Sequence, residues 1–140
     1  MQGKFFEELS VGQSEEQTYT VSEETIRKFA EVSGDDNPVH LDEAFAAGTQ
    51  FGGRIAHGML SASFISAVIG TRLPGSGSIY LSQTLRFRRP VKIGDEVTAR
   101  ATITGLDAER SRATLETVCL VGGKTVIEGE ALVLVPRKAG

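Results

Sequence analysis

The stretch from Gly58 to Ile69 constrains this chain more than any other. It carries Met59, Leu60, Ala62, Phe64, Ile65, Ala67, Val68 and Ile69, interrupted by Ser61, Ser63 and Ser66. A helix of that composition is apolar nearly all round, so burial is expected on nearly all of its sides. It is too short to span a bilayer, and the expected cover is therefore protein. The chain downstream can supply that cover. From Ser78 the apolar period changes to two: Ile79, Leu81, Gln83, Leu85 and Phe87 alternate with Tyr80, Ser82, Thr84, Arg86 and Arg88. Pro90 and Gly94-Asp95 make a turn, and Val97, Ala99, Ala101 and Ile103 then alternate with Thr98, Arg100, Thr102 and Thr104. Two further runs, 112–121 and 124–135, are joined by Gly122-Gly123, a two-residue hairpin signal. Consecutive strands with short turns predict an antiparallel meander. A wholly apolar helix beside a sheet with one apolar face predicts an α+β architecture in which the sheet curls around the helix.

The N-terminal part is read from local signals. Residues 1–13 are expected to be irregular, anchored by Phe5, Phe6 and Leu9, with a strand over 17–21. Ser22 is a good N-cap, Glu23 and Glu24 suit the first turn of a helix, and Val21 with Ile26 can form a hydrophobic staple. Ile26, Phe29, Ala30 and Ser33 mark its inner face and Gly34 stops it. Asp42 can cap a short helix over 43–47, ended by Gly48. No internal repeat or linker breaks the chain, so residues 1–140 are expected to form a single domain.

Charge narrows the function classes. The net charge of −3 argues against nucleic acid or anionic membrane as the main partner. Cys119 is the sole cysteine, excludes an intrachain disulfide and reads as a core residue. The first twenty residues hold Glu7, Glu8, Glu15 and Glu16 and no long apolar run. A soluble, cytoplasmic protein is the expectation.

The candidate chemistry lies between the first two helices, in Ser33-Gly34-Asp35-Asp36-Asn37-Pro38-Val39-His40. Pro38 fixes its own φ and biases Asn37 towards extended backbone, so neither helix is expected to run through and an irregular polar connection is predicted. Asp35 and His40 flank that rigid link. A solvated, capping loop is the plain alternative. Both histidines, His40 and His57, fall close together in sequence, the second just ahead of the apolar helix, and this favours a site.

These segments resemble the R-specific enoyl-CoA hydratases of the MaoC-like group, which have the hot-dog fold. Ser33 to Asp42 matches the family's hydratase motif of Gly-Asp, any residue, Asn-Pro, an aliphatic residue and His. Ile55-Ala56-His57-Gly58-Met59-Leu60, Pro74-Gly75 with Ser78 to Leu81, and Phe87-Arg88-Arg89-Pro90-Val91 leading into Gly94 to Val97 support it in the right order. The resemblance implies a curved antiparallel sheet wrapped around a long central helix, and a homodimer with active sites at the subunit interface. It further implies acyl-CoA as substrate, no metal or organic cofactor, and a place in fatty-acid metabolism such as polyhydroxyalkanoate precursor supply.

By the same resemblance Asp35 and His40 are the catalytic pair, either of which can return the proton to Cα. The Gly58 N–H holds the thioester carbonyl, the Ser66 hydroxyl orients the Asp35 carboxylate, and Asn37 steadies the loop. The residue types suit the reaction. A carboxylate and an imidazole can share and deprotonate a water, and first-turn amides of a helix can stabilise an oxyanion. Ser66 can instead bond its own i−4 carbonyl, and His57 reads as a cap or packing residue. Arg86, Arg88, Arg89 and Lys92 can meet CoA phosphates or simply be solvated. A hot-dog thioesterase is the enzymatic alternative, though residues 58–70 contain no acid. A metal-dependent hydrolase using Asp35, Asp36, His40 and His57 lacks a compact ligand pair, and a non-catalytic acyl-CoA-binding subunit completes the alternatives.

Overall fold

The helix over Glu23–Ser33 (α1) begins as its sequence dictates. Ser22 Oγ accepts the Thr25 N–H at 3.1 Å, and the staple residues Val21 and Ile26 are both fully buried. Gly34 ends it at φ +80°, a left-handed conformation that glycine adopts without a Cβ penalty, with its N–H on the Ala30 carbonyl. This computed structural model describes residues 3–138. Before α1 lies β1 (Ser14–Thr20). After it come α2 (Pro38–Leu41), α3 (Glu43–Ala47), α4 (Gly58–Thr71), β2 (Ile79–Gln83), β3 (Arg86–Phe87), β4 (Glu96–Asp107), β5 (Arg112–Val121) and β6 (Lys124–Leu134). As predicted, Asp42 caps α3 through the Phe45 N–H at 3.1 Å.

The strands form one antiparallel sheet, ordered β1-β4-β5-β6-β2, with β3 also paired to β6. This α+β, hot-dog arrangement curves the sheet around α4. The hairpin at Gly122-Gly123 forms as read, with φ of +56° and +79° and Val121 opposite Lys124. The predicted four-strand meander holds only for β4-β5-β6. β1 occupies the free edge of β4 from Ser14↔Thr102 to Thr20↔Glu96, so the strand that follows α4 pairs with β6 on the far side. The predicted continuous run over 78–88 also breaks, at Thr84 and Leu85. There the Thr84 N–H binds the Glu130 carbonyl at 2.9 Å, and a Cβ built on Gly129 would stand 1.9 Å from the Thr84 carbonyl oxygen. The chain crosses so close to β6 that only glycine fits beneath it.

On the inner face, Ala99, Ala101, Ala113 and Ala131 are fully buried and let α4 approach the sheet closely. Leu60, Phe64, Ile65, Val68 and Ile69 fill the space from the helix side. Cys119 is a core residue whose thiol donates to the Ser61 carbonyl at 3.5 Å, and burial pushes that thiol up to about 12. Contrary to the composition argument, α4 is not covered all round. Met59, Ser63, Ser66 and Gly70 recur at helical spacing and form a stripe exposed on this chain, Met59 at 55%. The helix also continues past Gly70 to Thr71. Among the described residues no helix is long and apolar enough to cross a membrane.

Candidate active site

The acid and the imidazole are positioned by main-chain bonds of the loop that carries them. The Asp35 N–H donates to Ser33 Oγ at 3.1 Å, and the Asn37 N–H donates to Asp35 Oδ1 at 3.3 Å. Asn37 Oδ1 then accepts the Val39 N–H at 3.1 Å, and Pro38 occupies the first helical position, where its missing N–H costs nothing. The connection expected to be irregular is therefore partly helical. An Asn cap followed by Pro starts the single turn α2, which turns His40 inward to 8% exposure while Asp35 stays exposed.

His40 is fixed on both its ring and its backbone. Its Nδ1 lies 2.8 Å from the Ile55 carbonyl oxygen. A carbonyl only accepts, so Nδ1 carries the hydrogen and Nε2 keeps its lone pair for chemistry. The His40 carbonyl accepts from Arg54 Nε at 2.7 Å, and Arg54 Nη1 pairs with Glu23 Oε2 at 2.7 Å, linking the site to the first turn of α1. That pairing holds the Glu23 carboxyl below its usual range. Burial pushes His40 below the ordinary imidazole value. The bond to Ile55 opposes this, the neighbouring His57 adds to it, and the Asp35 charge opposes it.

His57 caps α4 and is 2% exposed. Its Nε2 donates to the Asp35 carbonyl at 2.8 Å, and its ring stacks on His40 with centroids 3.9 Å apart and planes 28° apart. On the next residue, Gly58, a Cβ would stand 2.6 Å from Phe87 Cε1, so the phenyl ring lies directly over the first-turn backbone of α4. Asp35, His40, His57, Gly58, Ser61 and Phe87 all line one cavity of about 540 Å³. It holds an acid, an imidazole with a free nitrogen and orphan helix amides, the three components that addition of water to a conjugated thioester needs.

Asp35, His40 and His57 also bring ligand-type atoms within 4.8 Å of one another. His40 Nδ1 and His57 Nε2 are each engaged with a main-chain carbonyl, which leaves His40 Nε2 and His57 Nδ1 as the open ring nitrogens.

A family model described as "MaoC like domain" matches residues 7–128. The chain belongs to the MaoC-like family. This MaoC-like domain is 55% identical, over 96% of its length and 93% of the relative's, to the (R)-specific enoyl-CoA hydratase of Rhodospirillum rubrum. It is 53% identical to the 3-hydroxybutyryl-CoA dehydratase of Methylorubrum extorquens, over 96% of this chain and 85% of that one. Among solved structures, the unliganded R-hydratase PhaJ1 from Pseudomonas aeruginosa superposes with a TM-score of 0.92 at 48% identity, covering 97% of this chain and 88% of that one.

Of the residues singled out from sequence, the MaoC-like fold brings Asp35, His40 and Gly58 to one cavity. Asn37 supports them from outside it, as the cap of α2. Within one chain Ser66 does not join them. Nine residues separate it from His57, which at 3.6 residues per turn places it on the opposite side of α4, in the exposed stripe. The serine that does line the cavity is Ser61, four residues after His57, fully buried and with no partner for its Oγ among the described residues. Arg88 and Arg89 line the cavity, Arg88 Nε bound to Glu128 Oε1 at 2.8 Å, whereas Arg86 and Lys92 do not. Arg54 and Phe87 were not marked as site residues by any local signal. Their contacts come from partners 14 to 31 residues away in sequence.

Proposed function

We infer that this chain is an (R)-specific enoyl-CoA hydratase, a hydro-lyase that reversibly adds water to trans-2-enoyl-CoA in the syn sense to give (R)-3-hydroxyacyl-CoA. The observation that carries this reading is the shared cavity of Asp35, His40 and Gly58, in a chain about half identical to enzymes of that name. His40 Nε2, left as an acceptor by the bond from Nδ1 to Ile55, takes a proton from a water that Asp35 orients, and the oxygen adds to Cβ. Charge that builds on the thioester oxygen is held by the Gly58 N–H and the positive end of α4. The acid of the pair then delivers a proton to Cα on the same face, and dehydration runs the sequence backwards. No step calls for a metal or an organic cofactor.

The active unit is a homodimer. β2 pairs with β6 on one side only, and its residues Ile79, Tyr80 and Leu81 are 56%, 37% and 42% exposed, an apolar edge suited to a second copy. The exposed Met59 to Gly70 stripe, with Ser66 in it, offers that copy a helical surface of small side chains. Hydrolysis of the thioester is the competing chemistry, and α4 carries no carboxylate to support it. The deciding experiment follows loss of the enoyl-thioester absorbance with crotonyl-CoA and a panel of longer enoyl-CoAs, and determines product configuration. An R product without free thiol is expected. No turnover of any enoyl-CoA, an S product, or thiol release instead of hydration would each end the assignment.

A further inference from the structure

His57 touches more of the site than a cap requires. Its ring contacts both Phe29 of α1, tilted by 57° at 4.9 Å, and His40 of α2, stacked at 3.9 Å. Its Nε2–H holds the Asp35 carbonyl, while its own main chain leads into Gly58. Its Nδ1 is buried with no partner among the described residues, and no side-chain cap bond to α4 is formed. A histidine that leaves one nitrogen bare in a buried place gains nothing from that nitrogen. What it contributes is the other N–H and the flat face of the ring, and these contact the two residues assigned to the water.

We propose that His57 is a positioning residue that locks Asp35, His40 and the Gly58 amide into one reactive geometry. The loop carrying Asp35 is exposed from Ser33 to Pro38, so a bond from a buried imidazole to its carbonyl is what ties it to the helix start. The stack sets the plane of His40, and hence the direction of Nε2, about a ring otherwise held through Nδ1 alone. Bond and stack act together: Ile55 and Arg54 already tie His40 to the segment ahead of α4, and His57 adds the tie from that segment to the Asp35 loop and a second constraint on the His40 ring.

The test rests on the hydratase reading for one readout and is independent of it for the other. His57→Phe keeps a ring to stack on His40 and deletes the donor; His57→Gln restores an N–H at a similar reach. In crotonyl-CoA hydration, His57→Phe is expected to lower kcat about a hundredfold, the scale of a misplacement near 1 Å, with KM little changed, and His57→Gln to recover most of that loss. The second readout is the crystal structure of each variant, which needs no substrate. With the bond to the Asp35 carbonyl deleted, the Ser33–Pro38 loop of His57→Phe is expected to shift by about 1 Å relative to Gly58, and that of His57→Gln to stay near its place. An unshifted loop in His57→Phe overturns the proposal whether or not the wild type hydrates enoyl-CoA. So does wild-type kcat in His57→Phe, or an equal loss of kcat in the two variants matched by an equal fall in melting temperature.

Discussion

Phe87 lies over Gly58 so closely that the smallest side chain added to the glycine would stand 2.6 Å from the ring. The contact joins β3 to the first turn of α4 across the mouth of the cavity. The clashing atoms belong to a half-exposed side chain that can swing, so Gly58→Ala should fold with a melting temperature close to wild type. The added methyl would occupy the approach to the first-turn amide. A fall in kcat/KM of about 10²- to 10³-fold is expected, the value of one oxyanion donor. Steady-state kinetics beside thermal unfolding checks both parts, and Gly58→Ala with Phe87→Ala should regain room without regaining the rate.

Asp35→Asn removes the carboxylate and keeps its shape. Asp35 is exposed, so the melting temperature should hardly change, while turnover should fall by roughly 10²- to 10⁴-fold, the usual contribution of a positioned acid–base group. His40→Gln should lose as much. Near-wild-type rates in either variant would show that the pair does not handle the water.

pH should act through His40. Its imidazole is held below the ordinary value of 6.5, mainly by burial, so the folded protein releases this proton more readily than the unfolded chain does. The stability His40 contributes is then complete above about pH 6.5 and is lost as pH falls through the lower folded-state value. The acid limb of kcat/KM should likewise lie below pH 6.5 if, as proposed, the neutral Nε2 is the base. A pH–rate profile and the shift of that limb in Asp35→Asn, which removes a charge that raises His40, test the assignment together. The limb should move further down.

Arg54 is the tether behind His40. Its side chain is only 11% exposed, and it joins the His40 carbonyl to Glu23. Arg54→Leu should cost about 2 kcal/mol of stability, the scale of a hydrogen bond from a charged donor. Because the loss lies behind the base, kcat should also fall, with KM less affected. Urea unfolding and initial rates on the same preparation measure both, and a variant as stable and fast as wild type would remove Arg54 from the supporting network.

Sequence alone determined the features that depend on neighbours within a few residues. Ser22, Gly34 and Asp42 bound their helices because caps act over one turn, and Gly122-Gly123 closed its hairpin because two positive φ angles select that turn. The Ser33–His40 loop and Gly58 could be singled out because they match segments of the MaoC-like family; by itself the loop reads equally well as a solvated turn. Tertiary structure decided what depends on distant partners. Whether β2 lies beside β4 or β6 was set by β1 occupying the edge of β4, a competition that strand periodicity does not contain. Which serine of α4 lines the cavity within one chain was set by which side of the helix the sheet covers, and an all-apolar helix does not declare its covered side. The stacking of His57 on His40 required α2 and the start of α4 to meet across 17 residues of chain. Caps and turns are local energies, whereas a reactive geometry is a property of packing.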